Sequence, residues 1–508
     1  MSIERVKKSS KSLIWMMVSL IIGSVVPFIM RTVMIRCLGE EYVGLNSLFT
    51  SILQVLSISE LGIGEALIFY LYKPMAEGDK KRVNEILYIY KLAYRIIGII
   101  ILCVALVLIP FLPKLVKGDI PGDINMYVLY LIYIFDLLVS YFYKSYCLSI
   151  FQTNQSLYYR YRSESVIWVI LYSLQIYFII RFKTYYGYVM MIPVATIMIN
   201  TATWFLARKY YPDYRPDGKP EKSFYPDFWK KVMAMSLMKL RDVFRFSLDS
   251  IVISSFLGLV ILAKYNNYFL IFASAGMFIN ILSKAMLQSL GNSVATENIE
   301  SNRGVIKMYS FLLQFLLLVI CSGMMCLYNI FITCWIGEEY QYPWYTIALF
   351  VITFYLQQMA GITGLIRNST GIWSVGKWIP IAETIVNLVM DVVLVQFFNE
   401  NGVLIGTIVS LVMINIPFET MVMFREYFKE NAFKVLFDYV LNAIIAAGII
   451  FVCYTITEHI GLVPGIFSFV IKGIICVFIS SGLFMLIHIK DSRLADLFKI
   501  IKSVIIKM

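Results

Sequence analysis

The sequence predicts an all-α polytopic membrane protein, and three observations predict it. Hydrophobic residues make up 60% of the 508 and charged residues only 15%, with a mean hydropathy of +0.77. Apolar runs of at least 18 residues recur along the chain, each long enough to cross a bilayer. In lipid such runs become helices, because the backbone must satisfy its own hydrogen bonds. The basic residues, finally, gather in alternate connections between the runs, the mark of a chain that crosses a membrane repeatedly.

About fourteen spans follow, at roughly 12–37, 43–72, 84–112, 125–150, 163–181, 185–207, 232–257, 263–290, 305–335, 344–366, 374–398, 402–424, 434–457 and 465–489. The start, MSIERVKKSSKSLIWMM, is basic and then apolar, without a clear small-x-small cleavage site, and reads as an uncleaved first span. Of 44 Lys and Arg, about 30 fall on the side of the N-terminus and about 6 on the other. KPMAEGDKKR, YYRYR, the 208–231 stretch and REYFKENAFK all lie on the first side. That asymmetry predicts both termini in the cytoplasm.

The longest connection, ARKYYPDYRPDGKPEKSFYPDFWKK, comes after six spans and reads as a link between bundles. A weak internal repeat agrees. CLG (37–39) before EYVGLNSLFT matches FLG (256–258) before KYNNYFLIFA, and both second helices run into a polar hairpin containing Gly. The expected organisation is an N-lobe over 1–207, a linker over 208–231, a C-lobe over 232–428, and two further spans with a basic tail over 429–508.

Several classes of function are excluded. Eight scattered cysteines without a CxxC pair make neither a zinc site nor a disulfide framework. Two histidines, His459 and His488, both late in the chain, argue against His-based catalysis or metal binding. The net charge of +12 is a topology signal rather than a nucleic-acid footprint. No loop has room for a soluble catalytic domain, so a transporter without a cofactor is expected rather than an enzyme.

The informative residues are charges at membrane depth, which are costly and therefore face partners or water. KLRDVFRFSLDS places Arg241, Arg245 and Asp249 at i, i+4 and i+8, along one helix face. Pairing of Arg245 with Asp249 and Lys239 with Asp242 would make a purely structural ladder. Two cations exceed what one deep aspartate neutralises, however, so Arg245 is read as a ligand contact. Arg31 follows Pro27 in the first span and faces either a cavity or, like Arg36, the outer surface by snorkelling. Glu60 in SISELGIGEALIF, Asp136 in span four and Lys284 in INILSKAMLQSLG are further candidates for cavity partners or coupling, against structural pairing or snorkelling. The 35 tyrosines are mostly interfacial or packing residues, and some would line a sugar path; the sequence does not choose which.

The block RTVMIRCLGEEYVGLNSLFTSILQVLSISELGIGEALIFYLYKPMAEGDKKRVNE resembles the start of bacterial polysaccharide flippases of the Wzx type. The matching features are Leu38-Gly39, Glu40-Glu41, Tyr42 to Leu45 and Glu60-Leu61-Gly62; CWIGEEYQYPW (334–344) is similar to the family's Trp-x-Gly-acidic turn. The resemblance implies two six-helix lobes in a V around a central cavity, with two extra C-terminal helices. It implies movement of a polyprenyl-diphosphate-linked oligosaccharide from the cytoplasmic to the outer leaflet by alternating access; a monomer is expected, and coupling to Na⁺, H⁺ or the membrane potential stays open. The family's cationic cavity maps onto Arg31, Arg241 and Arg245, whose guanidinium groups suit phosphate. Glu60 and Asp249 are the candidates for an ion or proton site. A cation-coupled multidrug exporter of the same superfamily is the alternative, and a membrane glycosyltransferase or polymerase stands behind it, since the external connections are short.

Overall fold

The computed structural model describes residues 3–57, 63–118, 120–154, 156–221, 224–372, 375–461 and 465–494, apart from the side chains of 3–14, 20, 65, 227, 230–231, 233–246, 285, 288 and 295. The described chain is helical throughout, without a strand. Eleven of its helices are long and apolar enough to cross a membrane, or twelve when one bent pair counts as a span. These twelve coincide with twelve of the expected spans. The other two, 43–72 and 232–257, run over residues outside the described set.

The first unit, Met1–Asn266, holds α1 (Ile3–Cys37), α2 (Glu40–Leu56), α3 (Ile63–Glu77), α4 (Lys80–Leu108), α5 (Met126–Phe142), α6 (Cys147–Thr153), α7 (Tyr158–Phe182), α8 (Tyr185–Tyr210), α9 (Phe224–Leu257) and the start of α10 (Leu259–Thr296). The second unit, Asn267–Met508, holds the rest of α10, α11 (Ile299–Trp335), α12 (Trp344–Thr370), α13 (Ile379–Phe398), α14 (Glu400–Ser410), α15 (Ile416–Met423), α16 (Phe433–His459) and α17 (Ile466–Ile487).

Large apolar side chains cover the outside: Phe278, Phe397 and Phe478 are each more than 70% exposed. That suits a chain whose surroundings are lipid. Helix association there relies on close approach and polar contacts rather than on hydrophobic burial. Gly44 of α2 shows the first device, since a Cβ there would run into the Leu259 carbonyl at the start of α10. Gly402 and Gly406 of α14 do the same against the α13 backbone and Asp391.

The repeat seen in the sequence has a local physical cause. Gly39 and Gly258 both take positive φ, at 126° and 93°, where a side chain would be strained. Each backbone N–H reaches five residues back, Gly39 to the Met34 carbonyl at 3.1 Å and Gly258 to the Ile253 carbonyl at 3.2 Å. Both are therefore helix-ending caps of the same kind, and each launches the next helix.

In the first unit α1 packs against α2 and α7, α7 against α8, α5 against α4 and α8, and α2 against α9. Ser254 of α9 is tied to the segment after α4: its hydroxyl donates to the Leu115 carbonyl at 2.6 Å, and its carbonyl accepts from Lys117 at 3.0 Å. In the second unit α11 packs against α12, α16 and α17, while α13 and α14 form a tight hairpin. Span four is not one straight helix: α5 and α6 meet at a 57° break. Span twelve is interrupted too, by π-helical turns at Leu411–Asn415 and Phe424–Phe428, each an extra residue inserted into the ladder.

The connector after α8 is pinned rather than loose. Asn84 of α4 donates from its side chain to the Asp213 carbonyl at 3.2 Å and accepts from the Arg215 N–H at 2.8 Å. Lys80 pairs with Asp213 at 2.7 Å, and Tyr211 donates to Ser156 at 2.8 Å.

Candidate functional site

Arg31 lies half-buried on α1, with Tyr188 of α8 as its electrostatic neighbour. Tyr188 is the edge of a hydroxyl cluster built from three helices. Its hydroxyl donates to Asn46 Oδ1 of α2 at 3.4 Å, and the same oxygen accepts from Tyr133 of α5 at 2.7 Å. Tyr133 in turn shares a hydrogen bond with Tyr185 of α8 at 3.2 Å, and both phenols are nearly fully buried. Phe49 stacks on Tyr133 at 5.3 Å between ring centroids, which fixes the ring that carries the donor.

The cluster continues in both directions along the helices. Toward the connection between α1 and α2, Tyr42 packs on Tyr185 at 5.4 Å and donates to Asp123 at 2.5 Å. Burial first, and Asp123 second, hold the Tyr42 phenol above its ordinary pKa, so it stays a donor. In the other direction Asp136 of α5 accepts from Thr196 of α8 at 2.6 Å, and Tyr172 stacks on Trp168 along α7 at 4.9 Å. The result is a polar, aromatic seam through the helices of the first unit. It offers one guanidinium, several phenols, an amide and two carboxylates, Asp123 and Asp136.

The other predicted site residues fall as follows. Asp249 is 4% exposed on α9, two residues after Ser247, which donates to Gln54 Oε1 of α2 at 2.8 Å. Lys284 is exposed on α10, next to Ser283, whose hydroxyl bonds Tyr309 at 2.8 Å. Arg241 and Arg245 lie within α9, but their side chains are outside the described residues, as is all of Glu60.

The second unit buries its own polar layer. Arg367 of α12 is 3% exposed and pairs with Glu419 of α15 at 2.6 Å. Its Nη1 also donates to the carbonyls of Ile372 and Val375, at 2.8 and 2.7 Å. Asn415, presented by the first π turn, donates to Glu383 of α13 at 2.6 Å. Asn387 donates to Asp391 and to Thr407, both at 3.2 Å. Among the described residues no three ligating side chains are grouped closely enough to hold a metal ion.

Comparison with known proteins adds the family. The sequence profile described as polysaccharide biosynthesis protein matches residues 9–288, more than half of the chain. The chain belongs to the polysaccharide biosynthesis protein family. No curated protein matches it. Among solved structures it is similar to the lipid II flippase MurJ in an inward closed conformation, at 13% identity and a TM-score of 0.65, over 94% of this chain and 99% of that one. It is also similar to a multidrug resistance MATE family transporter of the MOP superfamily in an inward-facing conformation, at 14% identity and a TM-score of 0.61, over 81% and 98% of the two chains. At such identities the likeness is one of fold: this polysaccharide biosynthesis family member has the architecture of MOP-superfamily flippases and transporters.

Residue-level reading of the family member's sequence reached Arg31 and Asp136 but not Asn46, Tyr133, Tyr185 or Tyr188. Only two of these carry a positional signal: Tyr185 and Tyr188 open α8 three residues apart, on one face. Arg367 was hidden because LIRNST reads as an ordinary cytoplasmic helix end.

Proposed function

We propose that this protein is a flippase that moves a polyprenyl-diphosphate-linked oligosaccharide from the cytoplasmic to the outer leaflet of the bacterial inner membrane, for cell-surface polysaccharide assembly. The observation that carries the reading is Arg31 in a seam of phenols and amide at membrane depth, in a chain of the polysaccharide biosynthesis family. A diphosphate entering a low-dielectric region needs cations, and arginine meets it with paired N–H donors. Arg31 with Arg241 and Arg245 supply that clamp, and the tyrosines supply stacking faces and hydroxyls for sugar rings. Alternating access by two lobes, 1–207 and 232–428, a monomer, cytoplasmic termini and coupling to Na⁺ or H⁺ belong to the same proposal.

The test is translocation of a labelled polyprenyl-diphosphate oligosaccharide in proteoliposomes. Wild type transports; Arg31→Ala and Arg245→Ala insert normally and lose transport. Full transport by both variants would remove the clamp. Transport of cationic drugs, but of no lipid-linked glycan, would install the multidrug-exporter reading instead.

A further inference from the structure

Eight to fifteen residues beyond Tyr188 on α8, about 12–22 Å along its axis, the seam opens into a cavity of about 310 Å³ enclosed by α4 to α8. Its existence depends on the break in span four. Four residues, Tyr143 to Tyr146, separate α5 from α6, and Lys144 there takes a left-handed conformation at φ 58°. For a residue with a side chain that conformation costs on the order of 1 kcal/mol, which an unbroken helix would not incur. The break turns Lys144 onto the cavity wall.

The charge balance of this cavity is specific. Arg160 of α7 is held by Glu164 at 3.4 Å and donates to Thr203 at 3.2 Å. Lys144 has no carboxylate partner among the described residues; its ammonium rests on the ring of Trp204 at 3.5 Å and near that of Tyr143 at 4.8 Å. One net positive charge is therefore left at the cavity, supported by the Tyr143 hydroxyl and by π faces rather than by a carboxylate. Opposite it the walls are aromatic: Tyr90 and Tyr94 stack at 4.4 Å, and Trp168 is stacked on Tyr172. Asn200 lines the same space with an amide that makes no hydrogen bond among the described residues.

We propose that this cavity is a subsite for one acidic sugar ring of the transported glycan, a hexuronate-type residue whose carboxylate meets Lys144 and whose hydroxyls meet Asn200 and Tyr94. The assignment rests on the flippase reading and names its substrate class. Size fits: about 300 Å³ is the lower end of ligand pockets, enough for a small ligand and not for a chain of rings. Charge decides between anions. A diphosphate would bring more negative charge than one ammonium neutralises, since Arg160 is already held by Glu164. A neutral ring would leave Lys144 on its cation–π contacts, which are weaker than a charge-assisted hydrogen bond.

The full-length protein in nanodiscs is titrated with D-glucuronate, D-glucose and acetate, read by saturation-transfer NMR, and with inorganic phosphate, read by its displacement of glucuronate. Glucuronate saturates, glucose binds about tenfold more weakly, and acetate does not saturate. Lys144→Gln brings glucuronate down to the glucose level without changing glucose, Lys144→Arg retains it, and Trp168→Ala weakens both sugars. Acetate saturating like glucuronate, phosphate binding more tightly than glucuronate, an unchanged Lys144→Gln, or no saturable binding by folded wild type would each overturn the subsite. Translocation by the same wild-type preparation separates the two claims. A protein that flips its lipid-linked glycan without binding glucuronate refutes the subsite alone; one that binds glucuronate without flipping refutes the flippase reading alone.

Discussion

The two units bury polar groups for different ends. In the second unit the ions are engaged with each other: Arg367 is saturated by Glu419 and two backbone carbonyls, and Glu383 and Asp391 accept from asparagine amides. Around that layer Gly402 and Gly406 bring α14 tightly onto α13. In the first unit the cations Arg31 and Lys144 face phenols and indole, and a cavity opens beside Lys144. A charge matched by a counter-ion holds a fold together. One held by hydroxyls and π faces keeps its strongest interaction in reserve for a ligand. The same residue type, arginine in a membrane helix, thus serves structure in the second unit and, under the proposed function, recognition in the first.

That contrast can be broken by mutation. The largest effect on folding is expected from Glu419→Ala, which leaves the Arg367 guanidinium buried without its carboxylate and costs about 3–5 kcal/mol. Thermal unfolding in detergent reads it as loss of most of the folded protein, and a melting point within a degree or two of wild type would refute the structural role. Arg31→Ala should do the reverse, melting close to wild type while export fails. A variant that unfolds and still exports would invert the comparison.

A smaller effect is expected from Tyr133→Phe. It removes the donor to Asn46 while keeping the ring stacked on Phe49, for about 1 kcal/mol of stability. Equal melting curves would show that the hydroxyl cluster does not hold α2 to α5.

The smallest effect concerns Asp491 after α17. Hydrogen bonds from Arg493 hold its carboxyl below the ordinary value, outweighing partial burial. A lowered folded-state pKa contributes stability above the unfolded value, about 3.9, and that stability disappears as pH falls through the folded value. Because the pair is partly exposed, the contribution is no more than about 0.5 kcal/mol. Asp491→Asn should narrow the gap between wild-type melting at pH 7 and pH 3 by that amount. A wider gap would reverse the sign of the argument.

Much of the fold was legible in the chain, because span length and charge asymmetry follow from the bilayer itself. Twelve expected spans appear with ends displaced by a few residues, and Gly39 and Gly258 reveal the repeat because glycine alone takes their backbone conformation cheaply. The break at Lys144 was not legible, since KSYC between two apolar stretches carries no proline or glycine. The first π turn had a sign in Pro417, two residues beyond it, while the second, FREYF, carries no proline or glycine. Of the candidate site, the charged members were visible and the neutral ones were not. Among 35 tyrosines, belt, packing and seam residues look alike until three helices bring Tyr133 and Tyr188 onto Asn46 and Tyr185 onto Tyr133.

The pinned connector after α8 shortens a leash. Thirteen residues, 211–223, separate α8 from α9, yet Asn84, Lys80 and Ser156 fasten the stretch from Tyr211 to Arg215 to neighbouring helices. The Asp217 N–H is fastened too, to the Asn84 carbonyl at 3.2 Å. From Asp217 to Phe224, at no more than about 3.6 Å per residue, the head of α9 stays within roughly 25 Å of that anchor at the start of α4. A chain nicked there would lose that restraint without losing a helix, and a chain lengthened there by glycine–serine would gain reach at almost no cost in stability.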